Sequence, residues 1–424
     1  MKRSFAAALF ILLPSAGAAS AQSPIEGAVR DLRSPDADVR MRAVRMLKPV
    51  ASPEAAIPLA AAVTDPVDAI QREAIAAALN IFLFDPVVPS RRVGLIVEVR
   101  HRIAAEPIFS SGPLALNGVP VPPEMLTALL RAARNNNSQV AVEALYAFGA
   151  LAAESSGPVG QEMLALHGPE LVGMLGVPDP LTRIAAARVI GRLFERRPGD
   201  AAVDPQIGDA VILALNDRER DVQLVAMDAL GAMRYERAVQ ALTDRHQYYR
   251  DPRRNALGHA TFLALSRIGH RASLPLFQEQ LSGGNAATKI LAIEGLARIG
   301  DAGLLGTIRQ AFARERNGLV LLAEGFASVQ LSGEGLDPLF DALAKSSLRD
   351  QAFRYLYELA PKHVARLGSR AQDRSARMRA DVADLLGLSR EVSALPVVEP
   401  LLQDKDPEVV RAAERALARL RRIQ

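Results

Sequence analysis

Residues 221–231 read Asp-Val-Gln-Leu-Val-Ala-Met-Asp-Ala-Leu-Gly, and this stretch decides the fold. Val222, Ala226 and Leu230 are four residues apart, so they form one stripe along a helix, with a small residue at its centre. Aligning the chain on that small position gives Ala43, Ala74, Ala141, Ala186, Ala226, Thr261, Ala292, Leu322, Ala352, Val382 and Ala413. From Ala226 onward the steps are 35, 31, 30, 30, 30 and 31 residues, the spacing of a stacked helical hairpin. A small central residue lets two helices approach closely, and branched residues on either side fill the space between layers. A lone hairpin cannot bury both faces, so its neighbours must cover it.

Boundary signals share this register. Asp65-Pro66, Asp179-Pro180, Asp251-Pro252 and Asp406-Pro407 stand just before second helices, where Asp accepts from free amides and Pro has none to leave unpaired. Gly191, Gly231, Gly269, Gly300 and Gly387 fall near the ends of those helices and are read as left-handed caps.

Asp38-Val39-Arg40 with Ala43 and Leu47, and Asp221-Val222-Gln223 with Ala226, Ala229, Leu230 and Gly231, resemble the second helix of bacterial HEAT-like repeats of the PBS-lyase type. The resemblance spans nearly all of residues 22–424 and is strongest over 205–424. It implies an all-α solenoid of about 11 to 12 hairpins. It also implies a ladder in which Arg of one second helix meets Asp in a turn. Arg40, Arg183, Lys289, Arg349 and Arg379 occupy the basic position, whereas Ser138, Gly258, Leu319 and Val410 interrupt it.

The period breaks between Ala74 and Ala141, a gap of two periods that predicts one degenerate repeat and an irregular excursion. Residues 106–123 hold five prolines and two glycines, more than any helix would tolerate. Within them Leu114, Leu116, Asn117, Gly118 and Val119 place Asn-Gly between two apolar runs, which predicts a small β-hairpin. Such an excursion either folds back over the array or docks a partner.

Residues 1–21 read as a signal peptide. Lys2 and Arg3 precede the apolar run Phe5 to Leu13, and Ala19-Ser20-Ala21 is a small-x-small cleavage site. The expected product begins at Gln22 and is periplasmic or extracellular. Without a Cys there is no lipid anchor, and no later run reaches the ~20 apolar residues of a membrane span.

The absence of Cys also excludes thiol nucleophiles, zinc-thiolate sites and Cys-ligated clusters. The net charge of +4 is the small difference between 51 basic and 47 acidic residues, which does not imply nucleic-acid binding. The six His residues show no His-Glu-x-x-His spacing, and no nucleophile elbow or phosphate loop is present. No His is followed by Glu, as the di-iron site of the HEAT-like deoxyhypusine hydroxylases requires. The expectation is a protein that is not an enzyme and has no cofactor or metal.

Two readings of function remain. One is an interaction scaffold that holds a protein partner on the concave face. The other is a binding or catalytic module for a small anion at the turn 245–254, where Arg245, His246, Tyr248, Tyr249, Arg250 and Arg254 gather the residue types of anion and interface recognition. The same residues also suit a solvated turn. A second cluster, Arg366, Arg370, Arg374, Arg377 and Arg379, is a weaker candidate.

Overall fold

The computed structural model describes residues 24–84, 105–153, 158–197, 200–249, 255–312 and 315–422. The expected signal peptide lies outside them, as do Arg250 and Arg254. The described residues form an α-solenoid of eleven helical hairpins. Hairpins 1 to 3 are Pro24–Asp31 with Ala37–Val50, Ala56–Val63 with Asp68–Phe82, and Pro123–Ala132 with Ser138–Ala152. Hairpins 4 to 6 are Pro158–Gly173 with Pro180–Leu193, Pro205–Ala214 with Arg220–Ala232, and Val239–Tyr248 with Asn255–Ile268. Hairpins 7 to 9 are Leu274–Gly283 with Ala286–Ile299, Leu304–Phe312 with Gly318–Ser332, and Asp337–Leu343 with Arg349–Leu359. Hairpin 10 is Val364–Gly368 with Ala376–Leu388, and hairpin 11 is Leu395–Val398 with Pro407–Arg421. Each second helix packs on the next.

The central residues are all buried, and even Thr261 is satisfied, its hydroxyl donating to Leu257 O at 2.6 Å. Seven of the described second helices start where a side chain accepts from a free amide, whereas those after Val67, Glu219 and Leu348 have no such cap. Asp179 accepts from Thr182 N, Asn285 from Thr288 N and Asp406 from Glu408 N. Asp65 stands two residues before the N-cap, Val67, and instead accepts from Val67 N within the turn.

Three of the glycines have a different role from the one read above. Gly269 and Gly300 do end helices with φ of +65° and +77°. Gly191, Gly231 and Gly387 instead lie inside their helices, each five residues beyond the central position. A Cβ on Gly387 would stand 2.5 Å from Ala416 Cα, one on Gly191 2.9 Å from Ala229 Cα, and one on Gly231 3.0 Å from Ala264 Cα. Their place is therefore fixed by the approach of the next second helix.

The Arg–Asp ladder is present in three copies of one geometry. The fork of Arg40 grips Asp65 (2.6 and 3.1 Å), Arg183 grips Asp217 (2.8 and 2.9 Å), and Arg379 grips Asp404 (2.7 and 2.8 Å). In each case the third guanidinium nitrogen donates to carbonyls five and six residues earlier, so one side chain pins its own turn and the next hairpin's. The bidentate grip of Arg379 and an amide from Asp406 hold the Asp404 carboxyl down at about 2. Arg349 bonds Asp381, on a helix and not in a turn. Where Gln223 replaces Arg, its shorter amide reaches only its own turn, at Asp217 O (2.6 Å).

Residues 106–123 depart from expectation. No β-hairpin forms and no additional hairpin is inserted among the described residues, because Asp68–Phe82 packs directly on Ser138–Ala152. A short helix, Ala105–Ser111, accommodates Pro107 because the first four amides of any helix lack an internal acceptor. This helix lies on Ser138–Ala152, which is consequently buried on all sides after its first turn. Asn117 does not turn a hairpin of its own. It stitches this segment, the strap of residues 105–122, to the end of Asp68–Phe82, its N donating to Phe82 O (2.9 Å) and its Nδ2 to Ile81 O and Leu83 O (2.9 and 3.2 Å). The pairing amounts to one isolated antiparallel bridge, Leu83 with Leu116. Leu116 is buried, Val119 is half-buried against the core, and Leu114 lines a small cavity.

The array is not an open arc. The strap meets hairpin 11, where a Cβ on Gly118 would collide with Ala418 and Arg415 lies 5.1 Å over the Phe84 ring. Just beyond hairpin 4, Arg197 lies 4.3 Å over Tyr357 of hairpin 9 and donates to Ser389 O at the end of hairpin 10 (3.3 Å). Beyond hairpin 5, Arg234 reaches Glu358 of hairpin 9 (2.6 Å). Two of these contacts meet at hairpin 9, so two limbs of the array face each other.

Candidate functional site

Between the limbs lies a cavity of about 670 Å³. Its walls come from the ends of the second helices of hairpins 4, 5, 6, 7 and 9, together with the strap residues Glu106, Phe109 and Ser110. Eight arginines and four carboxylates line it. It is an electropositive enclosure within a nearly neutral chain.

Glu358 is the hub of the closure. Its carboxylate receives Arg298 from hairpin 7 (3.0 and 3.1 Å) and Arg234 from the other limb (2.6 Å). Burial alone would raise its pKa, yet the two guanidinium charges and their hydrogen bonds hold it down at about 2. The two arginines respond in opposite directions. Burial opposes the charge on Arg298, but Glu358 and Glu294 together outweigh it and the pKa is raised. Arg234, also desolvated, has Glu358 alone in close contact and feels Arg298, so its pKa is lowered.

The hub is anchored deeply. Arg298 donates to Glu294 Oε2 (3.1 Å), while Glu294 Oε1 accepts from the buried Tyr355 hydroxyl (2.6 Å) and from Gln351 (3.0 Å). Burial, then the Glu294 charge, push the Tyr355 phenol well above its ordinary value. Arg234 occupies the left-handed region at φ +47°, a conformation that costs a non-glycine residue about 1 kcal/mol, and is held there by Arg196 O accepting from its Nε (3.0 Å).

The rest of the cavity's charge is partly matched. Arg188 pairs with Glu106 (2.8 Å) and donates to Tyr146 (2.9 Å), and Arg267 pairs with Asp228 (2.5 Å). The sequence carried a signal for this site that went unread. Arg192, Arg267 and Arg298 each stand six residues after their central position, a place on three second helices that faces this cavity.

The turn residues singled out from sequence lie elsewhere. Arg245 donates to Asn216 Oδ1 of hairpin 5 (2.6 Å) and to Ala241 O (3.2 Å), which ties two hairpins together. His246 Nδ1 is 3.3 Å from Gly258 O, and its ring packs on Phe262. Tyr249 packs partly against the core with Tyr248 edge-on beside it, and Tyr248 remains 63% exposed. None of them lines the interlimb cavity. In the second cluster, Arg366 donates to Gly333 O, Arg370 pairs with Asp337 and Asp373, and Arg379 belongs to the ladder. Among the described residues no group of three or more acidic or His side chains is placed to hold a metal, and no helix is long and apolar enough to cross a membrane.

No family model matches the chain, and no curated protein does. Solved structures do resemble it. An engineered protein aligns over 94% of this chain and 98% of its own at 18% identity, with a TM-score of 0.39. The complex of CpcE and CpcF of phycocyanin lyase from Nostoc aligns over 59% of this chain and 93% of its own at 19% identity, TM-score 0.40. The Kap95:Nup1 complex aligns over 92% of this chain and 49% of its own at 15% identity, TM-score 0.39.

Proposed function

We propose that this protein is an exported, non-catalytic scaffold that holds a protein partner on its outer edge. The carrying observation is a row of large apolar side chains left in solvent near the inter-helix turns of three consecutive hairpins. Leu181 is 56% exposed, Leu213 72% and Tyr248 63%, on hairpins 4, 5 and 6. Arg183 locks hairpin 4 to the turn of hairpin 5, and Arg245 locks hairpin 6 to that same turn. The row is thus presented on a pinned backbone, which lowers the ordering cost of binding. Closure of the limbs favours this edge over the concave face, because the clasp occupies the groove an extended segment would need.

Replacing Leu213 by Ser and Tyr248 by Ala together is expected to reduce capture of a stoichiometric partner at least tenfold, with the melting temperature nearly unchanged, since both side chains are exposed. Pull-downs from periplasmic extract, normalised to folded protein, measure it; intact capture would place the interface elsewhere.

Export rests on the tripartite segment 1–21. Mass spectrometry of protein from the native host is expected to find Gln22 as the first residue. A full-length chain in the cytoplasm would overturn the compartment.

A further inference from the structure

We propose that the interlimb cavity is a binding site for a small polyvalent anion, a ligand carrying at least two phosphate or carboxylate groups, taken up between the limbs. This goes beyond the scaffold reading and rests on different residues. The carboxylates of the cavity leave several of its arginines unmatched. Glu106 and Asp228 are engaged by Arg188 and Arg267, Glu358 is shared by two arginines, and Glu195, in no close ion pair among the described residues, acts through its charge on Arg234, so eight guanidiniums still face only four carboxylates. Among the described residues, no carboxylate pairs with Arg192, Arg196, Arg197 or Arg354, and all four line the same cavity.

These four are oriented without being neutralised. Arg192 lies 5.0 Å over the Phe109 ring, and Arg197, only 8% exposed, is held by the Tyr357 ring and Ser389 O. Arg196 spends one nitrogen on Asp200 O, while its Nε is buried with no acceptor. Arg354, the exposed member, is on hairpin 9 and hydrogen-bonds Gln351. An orphaned donor and uncompensated guanidinium charge in a restricted space are both unfavourable in a dry interior, and an oxyanion relieves both. Guanidinium forks grip carboxylate and phosphate oxygens in pairs.

Size and placement narrow the class. A cavity of about 670 Å³ is within the ordinary range of small-ligand sites. Three of the four arginines belong to one limb and Arg354 to the other, so a ligand with two or more charged groups can engage both limbs at once.

The test uses the full mature chain. Tripolyphosphate and citrate are titrated separately by calorimetry at constant ionic strength, with chloride as the monovalent control. The expected result is one site per chain for at least one of them, weakened tenfold or more by Arg196→Gln and by Arg354→Gln and unchanged by Arg245→Gln. Preference for tripolyphosphate assigns a phosphorylated ligand, and preference for citrate a polycarboxylate. Arg354 is exposed, so its variant remains folded and informative even if the Arg196 variant does not. The proposal is overturned if neither polyanion binds beyond the chloride control, if the cavity variants bind like the parent, if Arg245→Gln abolishes binding, or if a poly-glutamate peptide binds more tightly than both small anions. Failure of partner capture by the Leu213 and Tyr248 variant leaves this result untouched, so the two readings fail separately.

Discussion

Replacing Glu358 by Gln is expected to destabilise the protein by about 3–5 kcal/mol at neutral pH and to separate the limbs. Gln has the size of Glu but no charge, so Arg298 and Arg234 are left as desolvated cations facing one another, the situation in which removing one member of a buried ion pair costs most. The pH dependence identifies the cause. The Glu358 pKa is about 2 in the folded chain against an ordinary 4.5, so its contribution is fully present above about 4.5 and disappears as the pH falls toward 2. That difference corresponds to on the order of 3 kcal/mol. The gap between parent and variant should therefore be widest at neutral pH and narrow as the pH falls through that window. Chemical denaturation at several pH values, with small-angle scattering to follow the limbs, measures both. A gap that is independent of pH would show that Glu358 acts through shape alone.

The second large effect is expected at Gly387. Valine there should cost about 3 kcal/mol, because even its Cβ would stand 2.5 Å from Ala416 Cα, and backbone has no rotamer by which to move aside. The second helices of hairpins 10 and 11 must part, which also draws Arg415 from Asp384 (2.9 and 3.1 Å). Gly300→Ala is the comparison. Nothing stands near a Cβ at Gly300, but its φ of +77° disfavours any side chain, so the loss should be about 1 kcal/mol. Thermal or urea unfolding distinguishes the two, and equal losses would mean that Gly387 is no closer to its neighbour than an ordinary helical position.

Misreadings of the sequence have a common source. Asn117-Gly118 has the local chemistry of a tight turn, yet Asn117 finds its acceptors at Ile81 and Leu83, more than thirty residues back. Gly191, Gly231 and Gly387 stand near helix ends, where a cap is the local reading, but the reason for each is an alanine in the following hairpin. Arg245 looked free to bind an anion because Asn216 is nowhere near it along the chain. The Arg–Asp ladder is implied by the resemblance, since it joins the same positions of adjacent hairpins; its length is not, because Gln223 at the same place bonds only its own turn.

The sequence by itself determined the hairpins, their central buried residues and their order, because each of these depends on spacings of three to eight residues and on the step of about 30 to the next repeat. Tertiary structure alone decided that hairpins 4 and 5 would face hairpins 9 and 10, that Glu358 would draw Arg234 from the far limb, and that arginines scattered over more than 160 residues would enclose one cavity. Curvature is the physical reason: it is the sum of small rotations between successive hairpins, each set by how closely two helices approach, and no local spacing records where such a sum brings the two limbs.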